Sequence, residues 1–363
     1  MSPTSPPASA ASLPVSATIC WADAQREAVF HAWLARVAAE RGLLPASLHL
    51  ASADASFRRY FRIATAAGGS YIIMDAPPDK ENNAAFVKIG ALMAQAGLRV
   101  PEVLEWEQTH GFLLLSDLGT QTMINLVSAD APQAAVPLYH QAVDTLITWQ
   151  LQSKPDVLPP YDAAVLNREL NLFPDWYIAQ HRGITLDATQ RASLDSVFAQ
   201  IVANNLAMPS VYVHRDFMAR NLMVGGEQLG VLDFQDGLYG PITYDIAALL
   251  RDAFLTWEED FVLDITIRYW ERARKAGLPV GDDFGAFYRS VEWMGLQRHL
   301  KIAGLFTRLT LRDGKPKYLA DVPRFIAYIR ATAGRYRELT PLLRLVDKIE
   351  GTTAATGFAY GRM

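Results

Sequence analysis

The stretch Val211-Tyr212-Val213-His214-Arg215-Asp216-Phe217-Met218-Ala219-Arg220-Asn221-Leu222 contains the tripeptide His-Arg-Asp and, after four intervening residues, an asparagine. A Gly225-Gly226 turn and Gly230-Val231-Leu232-Asp233-Phe234 follow. One loop therefore carries an aspartate and an asparagine, and a second aspartate comes after a short apolar hairpin. Phosphoryl transfer needs such a set: one carboxylate to accept the proton of the attacking hydroxyl, and two oxygen ligands for the Mg²⁺ that bridges the nucleotide phosphates.

The order and spacing of these groups match a kinase catalytic loop and the Asp-Phe pair that follows it. Asp216 is the candidate catalytic base, and Asn221 and Asp233 are the candidate Mg²⁺ ligands, because hard oxygen donors suit this ion. The alternative is a structural loop whose Asp and Asn side chains cap turns. That alternative leaves the combined pattern unexplained.

The composition excludes several classes of protein. The chain has 363 residues and a formal net charge of −4, so no basic excess points to nucleic acid or to an anionic membrane surface. No apolar run is long enough to span a bilayer. Cys20 is the only cysteine, which excludes a disulfide within the chain and fits a reducing, cytoplasmic location.

The distribution of sheet-like and helical segments predicts an α+β, protein-kinase-like bilobal fold. We expect a small sheet-bearing N-lobe that binds nucleotide over 21–115, a hinge at 116–120 and a larger, mainly helical C-lobe over 121–350. The Pro-, Ser- and Ala-rich residues 1–20 are typical of a flexible leader, and 351–363 of a loose tail.

Hydrophobic periodicity places the individual elements. Helical spacing predicts an amphipathic helix from Trp21 to Arg41, and aromatic and β-branched runs on both sides of Gly68-Gly69 predict a hairpin. A short buried strand is predicted at 112–115. Further helices are predicted at 83–96, 134–152, 167–180, 188–204, 243–254, 257–276, 284–309, 323–332 and 341–350.

Beyond the catalytic loop, six peptides carry a family resemblance. They are Asp54–Arg62, Met74–Pro78, Leu172–Tyr177, Asp233–Asp236, Gly240–Asp245 and Gly295–Lys301. With them the sequence resembles the aminoglycoside-phosphotransferase family, a kinase-like fold, from about Leu48 to beyond Asp252. Within that family it is most similar to sugar kinases acting on N-acetylmuramate and N-acetylglucosamine. The resemblance implies transfer from ATP to the anomeric (C1) hydroxyl, in peptidoglycan recycling, upstream of a sugar-1-phosphate nucleotidyltransferase.

The nucleotide site departs from the common kinase pattern. The loop Ser52–Ser56 lies where a Gly-rich phosphate loop is expected but has no Gly-x-Gly-x-x-Gly, and Met74 stands where a lysine normally pairs with the phosphates. Arg58, Arg59 or Arg62 could supply the missing charge, or all three could be solvated surface groups. The candidate ATP-binding residues are Ser56, Phe57, Arg58, Arg59, Ser116 and Leu118.

Sugar sites combine carboxylates and amides with an aromatic ring, and an arginine can pair with a lactyl carboxylate. The candidate substrate-binding residues are Glu169, Asp175, Trp176, Gln235, Asp236, Arg251 and Arg298. Burial in the core explains Trp176 as well, and surface salt bridges explain the two arginines as well.

Only eleven residues separate Asp233 from Asp245, which leaves no room for the activation segment of a protein kinase and favours a small-molecule acceptor. Asp245 is expected either to anchor the backbone of the catalytic loop or to favour a helix dipole. Two alternatives stay open at this point. One is an antibiotic-modifying phosphotransferase, and the other is a nucleotide-binding pseudokinase scaffold, which the missing lysine suggests.

Overall fold

The computed structural model of the chain describes residues 19–21, 23–53 and 57–352. Of the predicted leader (1–20), only the last two residues are described. Of the predicted tail (351–363), only the first two residues are described. The described chain divides into two compact units. One takes in the described residues up to Val87 together with Pro101–Asp117, and the other takes in Lys88–Val100 and the described residues from Leu118 onward. The lobe and hinge boundaries given above stay predictions.

The first unit begins with the expected amphipathic helix, α1 (Ala24–Arg41). Asp23 caps its start by accepting the backbone N–H of Gln25 at 2.8 Å, and Gly42 ends it in the left-handed conformation (φ 64°) that glycine adopts without strain. Its apolar face packs against one face of a sheet, where Phe61, Ile63 and Ile73 share its core.

The sheet of the first unit has five strands in the order β1-β2-β3-β5-β4. Its strands are β1 (His49–Ala53), β2 (Arg59–Ala64), β3 (Ser70–Asp75), β4 (Val103–Glu107) and β5 (Phe112–Ser116). The hairpin expected around Gly68-Gly69 is confirmed as β2 and β3, in a register that places Tyr60 opposite Met74. Helix α2 (Asn83–Gln95) follows this hairpin in the chain and extends into the second unit.

The second unit is mainly helical. Its helices are α3 (Pro132–Leu151), α4 (Ala163–Leu170), α5 (Ala188–Leu206), α6 (Thr243–Leu250), α7 (Glu259–Lys275), α8 (Phe284–Leu311), α9 (Val322–Arg335) and α10 (Thr340–Glu350). Two small antiparallel sheets accompany them: β7 (Ser210–Val213) pairs with β10 (Leu238–Pro241), and β8 (Leu222–Val224) lies between β6 (Gln121–Thr122) and β9 (Gly230–Val231). None of the described helices is both long and apolar enough to cross a membrane.

Two predicted helices differ from the structure. The helix expected at 167–180 is divided, since α4 ends at Leu170 and a π-helix runs from Phe173 to His181. Pro174 explains the break, because it has no N–H to donate to the preceding helical turn. The helix expected at 243–254 ends at Leu250 because the residues after it turn towards the catalytic loop, as described below.

Candidate active site

The catalytic loop leaves β7 in an unusual backbone conformation. Arg215 has a φ of 77° and Asp233, the candidate metal ligand after the hairpin, has a φ of 64°. Residues other than glycine rarely occupy this left-handed region, and they stay there only where neighbouring groups hold them. Groups that hold the loop are therefore part of the site.

Asp245, at the start of α6, binds the loop backbone. Its carboxylate is fully buried and accepts the N–H of His214 at 2.6 Å and the N–H of Arg215 at 3.0 Å. Burial raises the pKa of this carboxyl, against the two backbone N–H bonds that favour its charged form. The expectation that Asp245 anchors the catalytic loop is confirmed.

His214 joins the catalytic loop to the strand segment before Asp233. Its Nε2 donates to the carbonyl oxygen of Leu232 at 3.0 Å, and its Nδ1 accepts the N–H of Asp216 at 3.2 Å. Only a neutral imidazole protonated on Nε2 can make both bonds. Burial lowers the pKa of His214, which keeps this form neutral. His214 thus braces the catalytic loop.

The side chain of Arg215 enters a buried ionic cluster. Its Nη2 lies 2.5 Å from Oε1 of Glu169 on α4, and Nζ of Lys301 on α8 lies 3.0 Å from the same oxygen. The hydroxyl of Tyr161 donates to the other oxygen of Glu169. Burial by itself would raise the pKa of Glu169, but Lys301 and Arg215 outweigh it and lower that pKa to about 2.

Helix α8 supports the catalytic loop at a second point. Nη1 of Arg298 donates to the carbonyl oxygen of Arg215 at 2.8 Å, and the Arg298 side chain is buried. Glu169 and Arg298, both expected to bind substrate, are thus held by other groups of the protein. The substrate role of these two residues stays a prediction, and their geometry argues against it.

The three groups predicted to carry the chemistry meet within the second unit. Nδ2 of Asn221 lies 2.9 Å from the carbonyl oxygen of Asp216 and 3.3 Å from Oδ2 of Asp233. Nε2 of Gln235 donates to Oδ1 of Asp233 at 2.8 Å. Gln235, expected to bind substrate, therefore contacts the candidate metal ligand in this structure.

Asp252 is a site residue that the sequence did not reveal. It is fully buried beyond the end of α6, and it accepts the N–H of Ala219 in the catalytic loop at 3.3 Å and the N–H of Phe254 at 2.8 Å. Burial raises the pKa of its carboxyl. Its position inside a predicted helix gave no signal, because the contact depends on where α6 ends.

The other predicted substrate residues have different surroundings. Asp236 and Asp175 are exposed, and Trp176 is half-buried on the π-helix. Nη2 of Arg251 lies 3.2 Å from Oε1 of Glu259 and 3.5 Å from Oε1 of Glu292, so two carboxylates already surround its charge. Their substrate role stays a prediction.

Most of the predicted ATP-binding residues lie in the first unit. Ser56 is outside the described residues, and Phe57 is 66% exposed. Ser116 ends β5, where its Oγ accepts the N–H of Glu102 at 2.8 Å. In the second unit, the carbonyl oxygen of Leu118 accepts Nη2 of Arg99 at 2.9 Å. Arg58 and Arg59 both pair with carboxylates and are treated below.

The chain matches the model of the phosphotransferase enzyme family over residues 47–282, which is more than half of its length. The chain belongs to this family. An N-acetylmuramate/N-acetylglucosamine kinase of Neisseria meningitidis serogroup B is 46% identical over 338 residues, 93% of this chain and 100% of the relative. A kinase of the same name from Pseudomonas putida is 45% identical, over 92% of this chain and 96% of the relative.

Solved structures of low identity agree on the fold of the phosphotransferase. A choline/ethanolamine kinase family protein from Mesorhizobium loti gives a TM-score of 0.58 at 16% identity, over 87% of this chain and 99% of its own. The amicoumacin kinase hAmiN, solved with AMP-PNP, Ca²⁺ and Ami, gives 0.56 at 16% identity, over 81% and 91%. The predicted α+β kinase-like fold is confirmed. Membership of a kinase family implies ATP as a substrate.

Proposed function

We propose that this phosphotransferase transfers the γ-phosphoryl group of ATP to N-acetylmuramate or N-acetylglucosamine. Two observations support the proposal. Curated relatives that are 45% and 46% identical over more than nine-tenths of this chain are kinases of these two sugars. Asp216, Asn221 and Asp233 also lie together in one compact unit. The antibiotic phosphotransferase and the pseudokinase scaffold are not favoured, because neither accounts for both observations.

Asp216 is the proposed catalytic base. Its carboxylate would accept a hydrogen bond from the attacking hydroxyl, orient it towards the γ-phosphorus and take its proton as the new P–O bond forms and ADP leaves. Orientation requires a fixed loop, and the bonds from Asp245, His214 and Arg298 fix the backbone from His214 to the N–H of Asp216.

Asn221 and Asp233 are the proposed ligands of Mg²⁺. In the described residues, no group of three or more His, Cys, Asp or Glu side chains is placed to hold a metal ion. Two oxygen ligands fit an ion whose shell is completed by phosphates and water, which is how Mg²⁺ usually binds with nucleotides. The ion supplies charge neutralisation on the phosphates when it is bound.

We further propose that the acceptor is the anomeric hydroxyl, which would give a sugar 1-phosphate. Such a product is the substrate class of a nucleotidyltransferase, so we place the reaction before that step in peptidoglycan recycling. Because ATP is the donor, we infer a cytoplasmic location. The family resemblance supports these finer statements.

The test is phosphorus NMR of the purified protein with Mg·ATP and a panel of N-acetylmuramate, N-acetylglucosamine, glucose and an aminoglycoside. We expect a sugar 1-phosphate signal with the N-acetylated sugars only. The variant Asp216→Asn, checked for folding by circular dichroism, should lose about 100-fold or more in kcat. Phosphate on the antibiotic alone, or no transfer by the wild type, would overturn the proposed function. A folded Asp216→Asn variant with normal kcat would overturn the assignment of the base.

A further inference from the structure

Strand β3 lacks the cation that phosphoryl transfer calls for. Nucleotide phosphates carry several negative charges, and kinase-like sites place a lysine on this strand to meet them. Here the position holds Met74, which is fully buried. Three arginines at and before β2, the strand paired with β3, are the candidates to replace the lysine, and their contacts distinguish them.

Arg59 lies on the opposite face of the sheet from Met74. It shares that face with Phe61 and Ile63, which pack against α1. Its Nε donates to Oδ2 of the buried Asp75 at 3.0 Å, and its guanidinium stacks on Trp21 with the carbon 4.0 Å from the ring centroid. These contacts hold the half-buried Arg59 on the face of the sheet that packs against α1.

Arg62 lies on the same face as Met74, but its guanidinium group is bound to the carboxylate of Asp117. Its Nε lies 2.5 Å from Oδ2 of Asp117 and its Nη2 lies 3.0 Å from Oδ1, so both edges of the carboxylate are engaged. The hydroxyl of Ser70 donates to the same carboxylate at 2.6 Å. A bidentate pair of this kind fixes the guanidinium where it is.

Arg58 directly precedes β2, the strand that pairs with the position of the missing lysine. Tyr60 lies directly opposite Met74, and Arg58 stands two residues before Tyr60, immediately before Arg59, the first residue of β2. Its side chain is 7% exposed, and its Nη2 lies 2.8 Å from Oε2 of Glu81. The other oxygen of Glu81 accepts the backbone N–H of Phe57 at 2.9 Å.

We propose that Arg58 supplies the phosphate-binding cation in place of the lysine and that Glu81 is its positioning residue. The guanidinium has five N–H donors in a planar fork, so one edge can face a carboxylate while another faces a phosphate oxygen. Glu81 holds both the side chain of Arg58 and the backbone that precedes it, which sets the direction of the fork. This inference rests on the proposed use of ATP.

The experiment is calorimetric titration of the full chain with Mg·ATP and, separately, with adenosine. Loss of a charge-assisted hydrogen bond weakens binding by about 10- to 100-fold. We therefore expect Arg58→Gln to weaken ATP binding by this factor and to leave adenosine binding within about twofold. Glu81→Gln should weaken ATP binding less, and Arg58→Lys should restore part of it, because the charge remains.

Two matched variants make the assignment specific. Arg36→Gln removes the same charge from an exposed arginine on α1, which pairs with Glu40 and Glu105, and should leave both affinities unchanged. Arg62→Gln should change ATP and adenosine binding by equal factors. A selective loss of ATP binding in Arg62→Gln would move the cation to Arg62 and overturn the inference.

The remaining outcomes separate this inference from the proposed function. If Arg58→Gln binds ATP as the wild type does, or loses ATP and adenosine equally, the inference is overturned while the kinase assignment stands. If Arg58→Gln does not fold, Glu81→Gln decides: we expect at least about threefold weaker ATP binding with adenosine unchanged, and an unchanged ATP affinity would overturn the inference. A wild-type protein that binds no ATP would overturn the proposed function itself.

Discussion

Replacing Glu169 by glutamine removes the carboxylate that the buried cations Arg215 and Lys301 share. Glutamine keeps the size of the side chain and an oxygen acceptor, but it leaves both positive charges without their counterion. The pKa of Glu169 is about 2 in the folded protein against an ordinary value of 4.5. At about 1.4 kcal/mol for each pH unit, the difference corresponds to about 3 kcal/mol of stabilisation at neutral pH. Breaking one partner of a buried ion pair typically costs about 3–5 kcal/mol, which agrees.

The pH dependence of this effect has a definite sign. The folded-state pKa of Glu169 is lowered, so its stabilisation is fully present above pH 4.5 and is lost as the pH falls from there towards 2. The difference between wild type and Glu169→Gln should therefore shrink from about 3 kcal/mol at pH 7 to about 1.4 kcal/mol at pH 3.

The assay is urea unfolding followed by circular dichroism at pH 7, 5, 4 and 3. Glu40→Gln is the matched control, because Glu40 forms an exposed pair with Arg36, and such pairs contribute about 0–1 kcal/mol. The double variant Glu169→Gln/Lys301→Met should recover part of the loss, since it removes one of the two uncompensated charges. A loss below about 1 kcal/mol at pH 7, or a loss that is the same at pH 3 as at pH 7, would refute the reasoning.

Three further predictions follow from single contacts. Asp245→Asn should lower kcat about tenfold with unchanged ATP affinity, because the oxygen of the asparagine amide replaces only one of the two carboxylate oxygens that accept the loop N–H groups. Steady-state kinetics measures kcat and calorimetry measures the ATP affinity, and an unchanged kcat would count against the prediction. Gly304→Ala should lower the free energy of unfolding by about 1–3 kcal/mol, because the added Cβ would stand 2.1 Å from the carbonyl oxygen of Leu172. In the control variant Gly334→Ala the added Cβ meets nothing closer than 3.9 Å. Thermal unfolding compares the two variants, and equal melting temperatures would contradict the prediction. Burial lowers the pKa of His299 to about 3, so the folded state loses stability as the pH falls below 6.5. Between pH 7 and 5 the free energy of unfolding of the wild type, measured with urea, should fall by about 2 kcal/mol more than that of His299→Phe. Equal losses in the two proteins would show that His299 does not cause the pH dependence.

The chemistry of the site could be predicted from the sequence because its reactive groups are close together along the chain. Asp216, Asn221 and Asp233 lie within one loop and one short hairpin, so the local geometry of β8 and β9 is enough to bring them together. The hairpin of β2 and β3 and most helices were predictable for the same reason, since periodicity and glycines are local signals.

The π-helix was missed although its cause is in the sequence. Pro174 signals a break, but apolar periodicity continues across it, and the pattern was interpreted as one helix. The close approach of Gly304 to Leu172 belongs to the same region, and it depends on residues of α8 that are far away in the chain.

By itself the sequence determined the candidate catalytic base, the candidate metal ligands and the absence of a lysine from β3, because each is a matter of residue type at a short spacing. Only the tertiary structure decided what holds these groups in place. Glu169 lies 46 residues from Arg215, and Arg298 lies 83 residues from it, and no periodicity connects positions so far apart. The choice among Arg58, Arg59 and Arg62 also required the structure, because the face of the strand and the carboxylate that each arginine meets depend on how distant segments pack.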